Sequence, residues 1–227
     1  MFLTKNNNLK IKSIIIAAVF VLALTLLGMV WFDAPLLLFL RRFDCRVWYW
    51  IGKIFDAKVW LITTAVVVAA FYARKAVDSK PNIRNSRNKI NLWAILDDFY
   101  LKTKHSYAFL MFCAVFGASV AVSIIKVVVG RFRPVFFEAL DLTGFHPFSF
   151  EWAFNSMPSG HTAASFAGLV MLGLLVPKIK WATWTLAIVI GLSRVVVGAH
   201  WPTDVLVGAF IGMVAADVAR AYLARRD

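Results

Sequence analysis

Cysteine is nearly absent: Cys45 and Cys113 are the only two in 227 residues. The first lies in a loop and the second lies within a long apolar run, so a disulfide framework is excluded and both read as free thiols. Charge is missing over long stretches as well. Ser13 to Trp31 and Ser106 to Ile125 hold no charged residue. At 1.5 Å per residue, about twenty residues cross the roughly 30 Å hydrocarbon core of a bilayer. Internal repeats and low-complexity tracts are lacking too, which argues against a transporter built from repeats around a midplane site. Acidic residues number 12 against 25 basic ones, for a net charge of +13.

What is abundant is apolar surface. The chain is 61% hydrophobic, with a mean hydropathy of +0.74, against ~45–50% apolar for soluble domains. Besides the two runs above, Val59–Ala73, Thr162–Val176, Trp181–Leu192 and Val205–Ala216 are charge-poor. The reading is an all-α integral membrane bundle of six transmembrane helices, one domain over residues 1–227. The last three runs are short, so their helices should continue into flanking residues such as Pro202 onward. The first run follows Lys5, Lys10 and Lys12 but is longer than a signal-peptide core, and Trp31-Phe32-Asp33 is no cleavage site; it reads as a retained span.

Most of the basic residues fall in the N-terminus, in the 74–104 loop, at Lys178 and Lys180, and at Arg220, Arg225 and Arg226. The positive-inside rule then puts both termini in the cytoplasm. Charge that flanks spans points to anionic lipid headgroups as partners and away from nucleic acid. Within the 74–104 loop, Leu92, Trp93, Ile95, Leu96, Phe99 and Tyr100 recur at helical spacing, as an interfacial helix does. His105, at its end, reads as interfacial.

Three polar clusters break the apolar pattern, all at non-cytoplasmic span ends. Span three exits through Lys126-Val-Val-Val-Gly-Arg131-Phe-Arg133-Pro134; span four begins with Pro158-Ser159-Gly160-His161; and Ser193-Arg194, His200 and Asp204 lie between spans five and six. Charges near spans are usually paired or functional, and these residue types suit phosphoryl transfer. Lys126, Arg133 and Arg194 are three cations for phosphate oxygens. Ser159 supplies a hydroxyl, and Gly160 lets the backbone at a helix N-terminus approach an anion. Of the two histidines, a neutral one is a competent nucleophile and a protonated one a general acid. Asp204, four residues after His200, can turn back to the imidazole if Pro202 opens span six. No group of carboxylates or histidines has metal-ligand spacing apart from these residues.

The three clusters, complete and in order, resemble the three motifs of the type-2 phosphatidic acid phosphatase superfamily: a lysine, six residues and Arg-Pro; Pro-Ser-Gly-His; and Ser-Arg, five residues, His, three residues, Asp. The resemblance covers residues 126–204 and implies a six-span, metal-independent, cofactor-free phosphatase. It implies that His200 attacks phosphorus to form a phosphohistidine, oriented by Asp204, and that His161 protonates the leaving alkoxide and then activates water. It also implies that Lys126, Arg133, Ser159, the Gly160 amide and Arg194 hold the phosphate. Arg131 adds potential at the mouth or touches phosphate; His146 and the 135–157 aromatic loop form an interfacial belt or a headgroup wall; Glu138, Asp141 and Glu151 repel surplus negative charge or are solvated. The expected substrate is a phosphorylated lipid at the outer face of a bacterial inner membrane: phosphatidate, phosphatidylglycerophosphate, undecaprenyl diphosphate or a lipid A phosphate. A lipid phosphotransferase would use the same motifs. An anion transporter or a soluble haloperoxidase fits less well.

Overall fold

The computed structural model describes residues 1–4, 8–78 and 106–223; the interfacial helix expected around Leu92–Tyr100, and His105, lie outside them. Among the described residues the regular secondary structure is helical, apart from the isolated bridges Leu3–Leu9 and Arg131–Phe145. The helices are α1 (Ile11–Trp31), α2 (Asp33–Arg41), α3 (Arg46–Ile54), α4 (Ala57–Asp78), α5 (Tyr107–Val129), α6 (Pro134–Leu140), α7 (Gly160–Leu175), α8 (Lys180–Val196) and α9 (Pro202–Leu223). Single 3₁₀ turns sit at Trp152–Phe154 and Pro177–Ile179.

Among the described residues, five helical stretches are long and apolar enough to cross a membrane: Ile11–Trp31, Arg46–Lys75, Tyr107–Val129, Pro177–Val196 and Pro202–Ala221. The sixth, α7, has only 16 residues, about 24 Å of helix. Its position accounts for this. Thr162, Ala163, Ala164, Ser165, Ala167, Gly168 and Leu169 are all buried, so neighbouring helices, and not lipid, cover most of its length. It need not match the bilayer, and its N-terminus is sunk within the bundle end. The second span differs from expectation in the other direction: it reaches back to Arg46, with a break at Phe55–Asp56 between α3 and α4.

Close approach of small residues holds α7 in place. The core it shares with α5 and α9 is rich in alanine and valine, including Ala114, Ala118, Val122, Ala163, Ala167 and Ala216. In α9, Gly208 and Gly212 face α7 so tightly that an added Cβ would meet the Ser159 carbonyl oxygen at 2.6 Å and the Ala163 carbonyl oxygen at 2.5 Å. Glycines four residues apart let helix backbones touch in lipid, where packing, not the hydrophobic effect, drives association. On the outside, Ile15, Ile16, Val19, Phe20 and Val30 of α1 are exposed, as lipid-facing side chains are.

Chain direction sorts the helix ends. α5 and α8 finish, and α7 and α9 begin, at one end of the bundle. The chain's first residues lie at the other, where the Phe2 amide donates to Asp217 Oδ2 in α9 at 2.6 Å. α5 ends at Gly130, in a left-handed conformation (φ 60°), pinned by a bond from His146 N to its carbonyl at 2.6 Å. A side chain there would strike the His146 carbonyl, so the turn that releases Arg131–Arg133 from α5 requires glycine.

Candidate active site

Between the C-termini of α5 and α8 and the N-termini of α7 and α9 lies a cavity of about 470 Å³. Lys126, Arg133, Gly160, His161, Arg194 and His200 line it. All three sequence clusters therefore meet at one place, and each arrives by a local device.

Lys126 stands in the last turn of α5, where Nζ donates to the carbonyls of Asn155 at 2.5 Å and Ser156 at 3.3 Å. Arg133 precedes the Pro134 that opens α6. Its guanidinium lies over the Trp152 ring, 4.5 Å from the centroid, and donates to the carbonyls of Trp152 (3.0 Å), Ala199 (3.2 Å) and Asn155 (3.2 Å). Burial brings its pKa down to about 10, with Asp204 opposing and Arg194 adding to the fall; it stays charged at neutral pH. Arg194, in the last turn of α8, lies on Gly52 of α3, where any side chain would displace Nη1. Among the described residues its Nε has no hydrogen-bond partner. Among the described residues, the donors of Lys126 and Arg133 go to backbone carbonyls, which an anion can replace.

His200 is set by the turn after α8. Gly198 is left-handed (φ 71°), and the amides of Ala199 and His200 both donate to the Arg194 carbonyl, at 3.0 and 3.1 Å. The ring is buried, with Nδ1 3.6 Å from Asp204 Oδ2. That is an ion-pair distance, just beyond a hydrogen bond. Burial pushes the imidazole down to about 3; Lys126 and Arg133 add to this and Asp204 opposes it. A lowered pKa leaves the ring neutral at neutral pH, which is the nucleophilic form.

His161, in the first turn of α7, has Nε2 2.9 Å from Asp56 Oδ2, at the break between α3 and α4. Ser159 is placed differently from the other motif residues. It is fully buried, does not line the cavity, and caps α7, accepting from the Thr162 hydroxyl at 2.9 Å and amide at 3.5 Å. Asp204 is also fully buried and lies behind His200. Its Oδ2 accepts from the Ser156 hydroxyl at 2.5 Å and the Trp201 amide at 2.9 Å, and its Oδ1 accepts from Arg131 at 2.7 Å.

Arg131 is thus neither at the mouth nor on the cavity wall. It is buried against Asp204 and Asp33. Glu138 is not simply solvated: it pairs with Arg41 through two bonds of 2.8 and 3.1 Å, and both residues line the cavity. His146 packs on Phe154, ring centroids 4.7 Å apart, and Phe154 on Phe132 at 4.6 Å, so the aromatic loop folds onto the motif-bearing turn. Motif spacing did not reveal Arg41 on the cavity wall, nor the contacts of Asp33 with Arg131, Asp56 with His161 and Ser156 with Asp204.

A helical bundle with apolar spans of membrane length, and with cations and two histidines around one cavity where helix ends meet, defines a class: membrane proteins with a cationic, histidine-bearing site. The chain belongs to the PAP2 superfamily, whose sequence profile matches residues 107–227. It is 40% identical over 105 residues to a lipid A 1-phosphatase of Rhizobium johnstonii, covering 46% of this chain and 43% of that protein. It is 43% identical over 58 residues to an undecaprenyl-diphosphatase of Sulfolobus acidocaldarius, covering 25% and 28%. The matches span less than half the length of these curated relatives. Among solved structures, Aquifex aeolicus LpxE aligns with a TM-score of 0.48 at 20% identity, over 84% of this chain and 95% of that one.

Proposed function

We propose that this chain is a metal-independent lipid phosphate phosphatase of a bacterial inner membrane, cleaving a phosphomonoester or diphosphate at the outer face through a phosphohistidine on His200. The observation that carries this reading is the convergence of Lys126, Arg133, His161, Arg194 and His200 on one cavity. With Nδ1 turned toward Asp204, Nε2 of the neutral His200 ring attacks phosphorus. Asp204 stabilises the imidazolium that forms. Lys126, Arg133 and Arg194 exchange carbonyl or free positions for the oxygens that gather charge in the transition state. His161 gives a proton to the leaving oxygen, then takes one from the water that hydrolyses the phosphohistidine. The Gly160 amide at the start of α7 adds a helix N-terminus to the phosphate site, and Ser159 contributes by capping that helix. The relatives named for lipid A and undecaprenyl diphosphate support a lipid as the phosphate's carrier.

The test is phosphate release by the purified protein from a panel of phosphatidate, phosphatidylglycerophosphate, undecaprenyl diphosphate and lipid A. Turnover of at least one is expected, unchanged by EDTA and inhibited by vanadate, whose five-coordinate form mimics the transition state. Loss of activity in EDTA that Mg²⁺ restores would refute the metal-free reading.

Sidedness is tested separately. In a Cys45→Ser, Cys113→Ser background, Glu151→Cys lies on the exposed loop beside the site and Lys178→Cys on the exposed α7–α8 turn at the opposite end. An impermeant maleimide is expected to label the first in intact spheroplasts and the second only after lysis. The reverse pattern would turn the site to the cytoplasm.

A further inference from the structure

Asp33 is fully buried at the junction of α1 and α2, far in sequence from every motif. Its Oδ2 accepts from Arg131 Nη2 at 2.6 Å and from the Thr203 hydroxyl at 2.6 Å, and its Oδ1 accepts from the Thr203 amide at 2.9 Å. Arg131 Nη1 in turn donates to the Thr203 hydroxyl and to Asp204 Oδ1, both at 2.7 Å. The guanidinium also lies over the Trp201 ring, 5.1 Å from its centroid. A continuous chain of buried, charge-assisted bonds therefore runs from Asp33 through Arg131 to Asp204, and Asp204 faces His200.

Each member of the chain depends on the next. A carboxylate without solvent stays ionised only if cations and donors replace its water; for Asp204 these are Arg131, Ser156 and the Trp201 amide. Arg131 is itself nearly solvent-free, with a side chain 8% exposed, and needs a second carboxylate on its other arm. Asp33 supplies it, and by accepting from the Thr203 amide it also holds the first turn of α9, where Asp204 sits.

We propose that Asp33 is a positioning residue for catalysis: through Arg131 it fixes the ionised carboxylate of Asp204 that orients His200, so that the segment matching the family profile, residues 107–227, depends on a residue outside it for its nucleophile. Asp33 touches none of Lys126, Arg133 and Arg194, so its role is separable from phosphate binding.

The experiment uses the full-length protein in detergent micelles, the lipid phosphate from the panel that is turned over fastest, and vanadate as the binding probe. Asp33→Asn is expected to lower kcat by about 10–100-fold, while KM and the vanadate inhibition constant stay within about twofold. Arg131→Lys should retain part of the lost rate and Arg131→Gln none. The double variant Asp33→Asn, Arg131→Gln should be no slower than Arg131→Gln alone, because the two act in series. A purely structural role would change thermal stability and KM together and give no such order. If Asp33→Asn does not accumulate as folded protein, Asp33→Glu carries the test, with the same separation of kcat from KM expected. Wild-type kcat in either variant, or equal losses in kcat and vanadate binding, overturns the inference. The inference rests on His200 as nucleophile, so His200→Ala is run beside it. Turnover by His200→Ala would overturn both; an inactive His200→Ala with a wild-type Asp33→Asn would overturn this inference alone.

Discussion

His200→Ala is expected to lower phosphate release by about 10⁵-fold while the protein still folds, because the proposed covalent route is lost outright when His200 is removed. The structure explains why folding should survive. Among the described residues, His200 Nδ1 has no hydrogen-bond partner, so truncation breaks no side-chain bond there. The ring borders an existing cavity, so removing it enlarges that space without opening a new void in packed core. Asp204 keeps its bonds from Arg131, Ser156 and Trp201, so no buried charge is orphaned. That contrasts with Asp204 itself, whose replacement would leave Arg131 with a single carboxylate. The measurements are phosphate release, thermal unfolding in detergent, and an acid-labile phosphoenzyme trapped from wild type and absent from the variant. Activity near wild type in a folded variant would remove His200 from the mechanism. Protonation of His200, the proposed nucleophile, should not limit the rate under mildly acidic conditions either: burial lowers its pKa to about 3, so the ring stays almost wholly neutral until pH falls to within about a unit of that value.

The groups that meet in the cavity were legible because their spacing is local. A lysine and an arginine seven residues apart at a span exit, a Ser-Gly-His at a span start, and a histidine four residues before an aspartate each lie on one helix end and its turn. Alternating span direction then brings those ends together, whatever the detailed packing. Arg131 was misplaced because spacing along a turn does not say which side of it faces solvent. Gly130 in the left-handed conformation turns the chain so that Arg133 reaches the cavity and Arg131 passes behind His200. Asp33, Asp56 and Arg41 were not legible at all. Their partners lie far along the chain, Arg131 98 residues from Asp33 and Glu138 97 from Arg41, and a lone acid beside a span looks the same whether it is solvated or paired. The short α7 was similarly opaque. Sequence length alone made it an incomplete span, whereas burial on nearly every side explains how 16 residues suffice. Ser156, just before the second motif, is fully buried and bonded to Asp204, and nothing in its polar, loop-type sequence context marks it.

The role of His161 separates from that of His200 through the leaving group. A lipid alkoxide is a poor leaving group and needs a proton as the P–O bond breaks; nitrophenolate leaves without one. His161→Asn is therefore expected to lower turnover of a lipid phosphate by about 10³-fold, within the range general acid–base catalysis supplies. With nitrophenyl phosphate, the same variant should still release close to one nitrophenol per protein in a rapid burst. It should then stall, because the phosphohistidine on His200 waits for a water that nothing deprotonates. The position of the ring supports a role in proton transfer over one in binding. His161 lines the cavity beside Gly160, and Nε2 is held at 2.9 Å by the Asp56 carboxylate, so the imidazole is fixed in orientation, whereas Lys126, Arg133 and Arg194 bring the positive charge to the cavity that the proposed function assigns to phosphate. Binding of vanadate to His161→Asn should accordingly stay close to wild type. A variant that loses the nitrophenol burst as well would place His161 in forming the phosphoenzyme itself, and the division of labour between the two histidines would have to be redrawn.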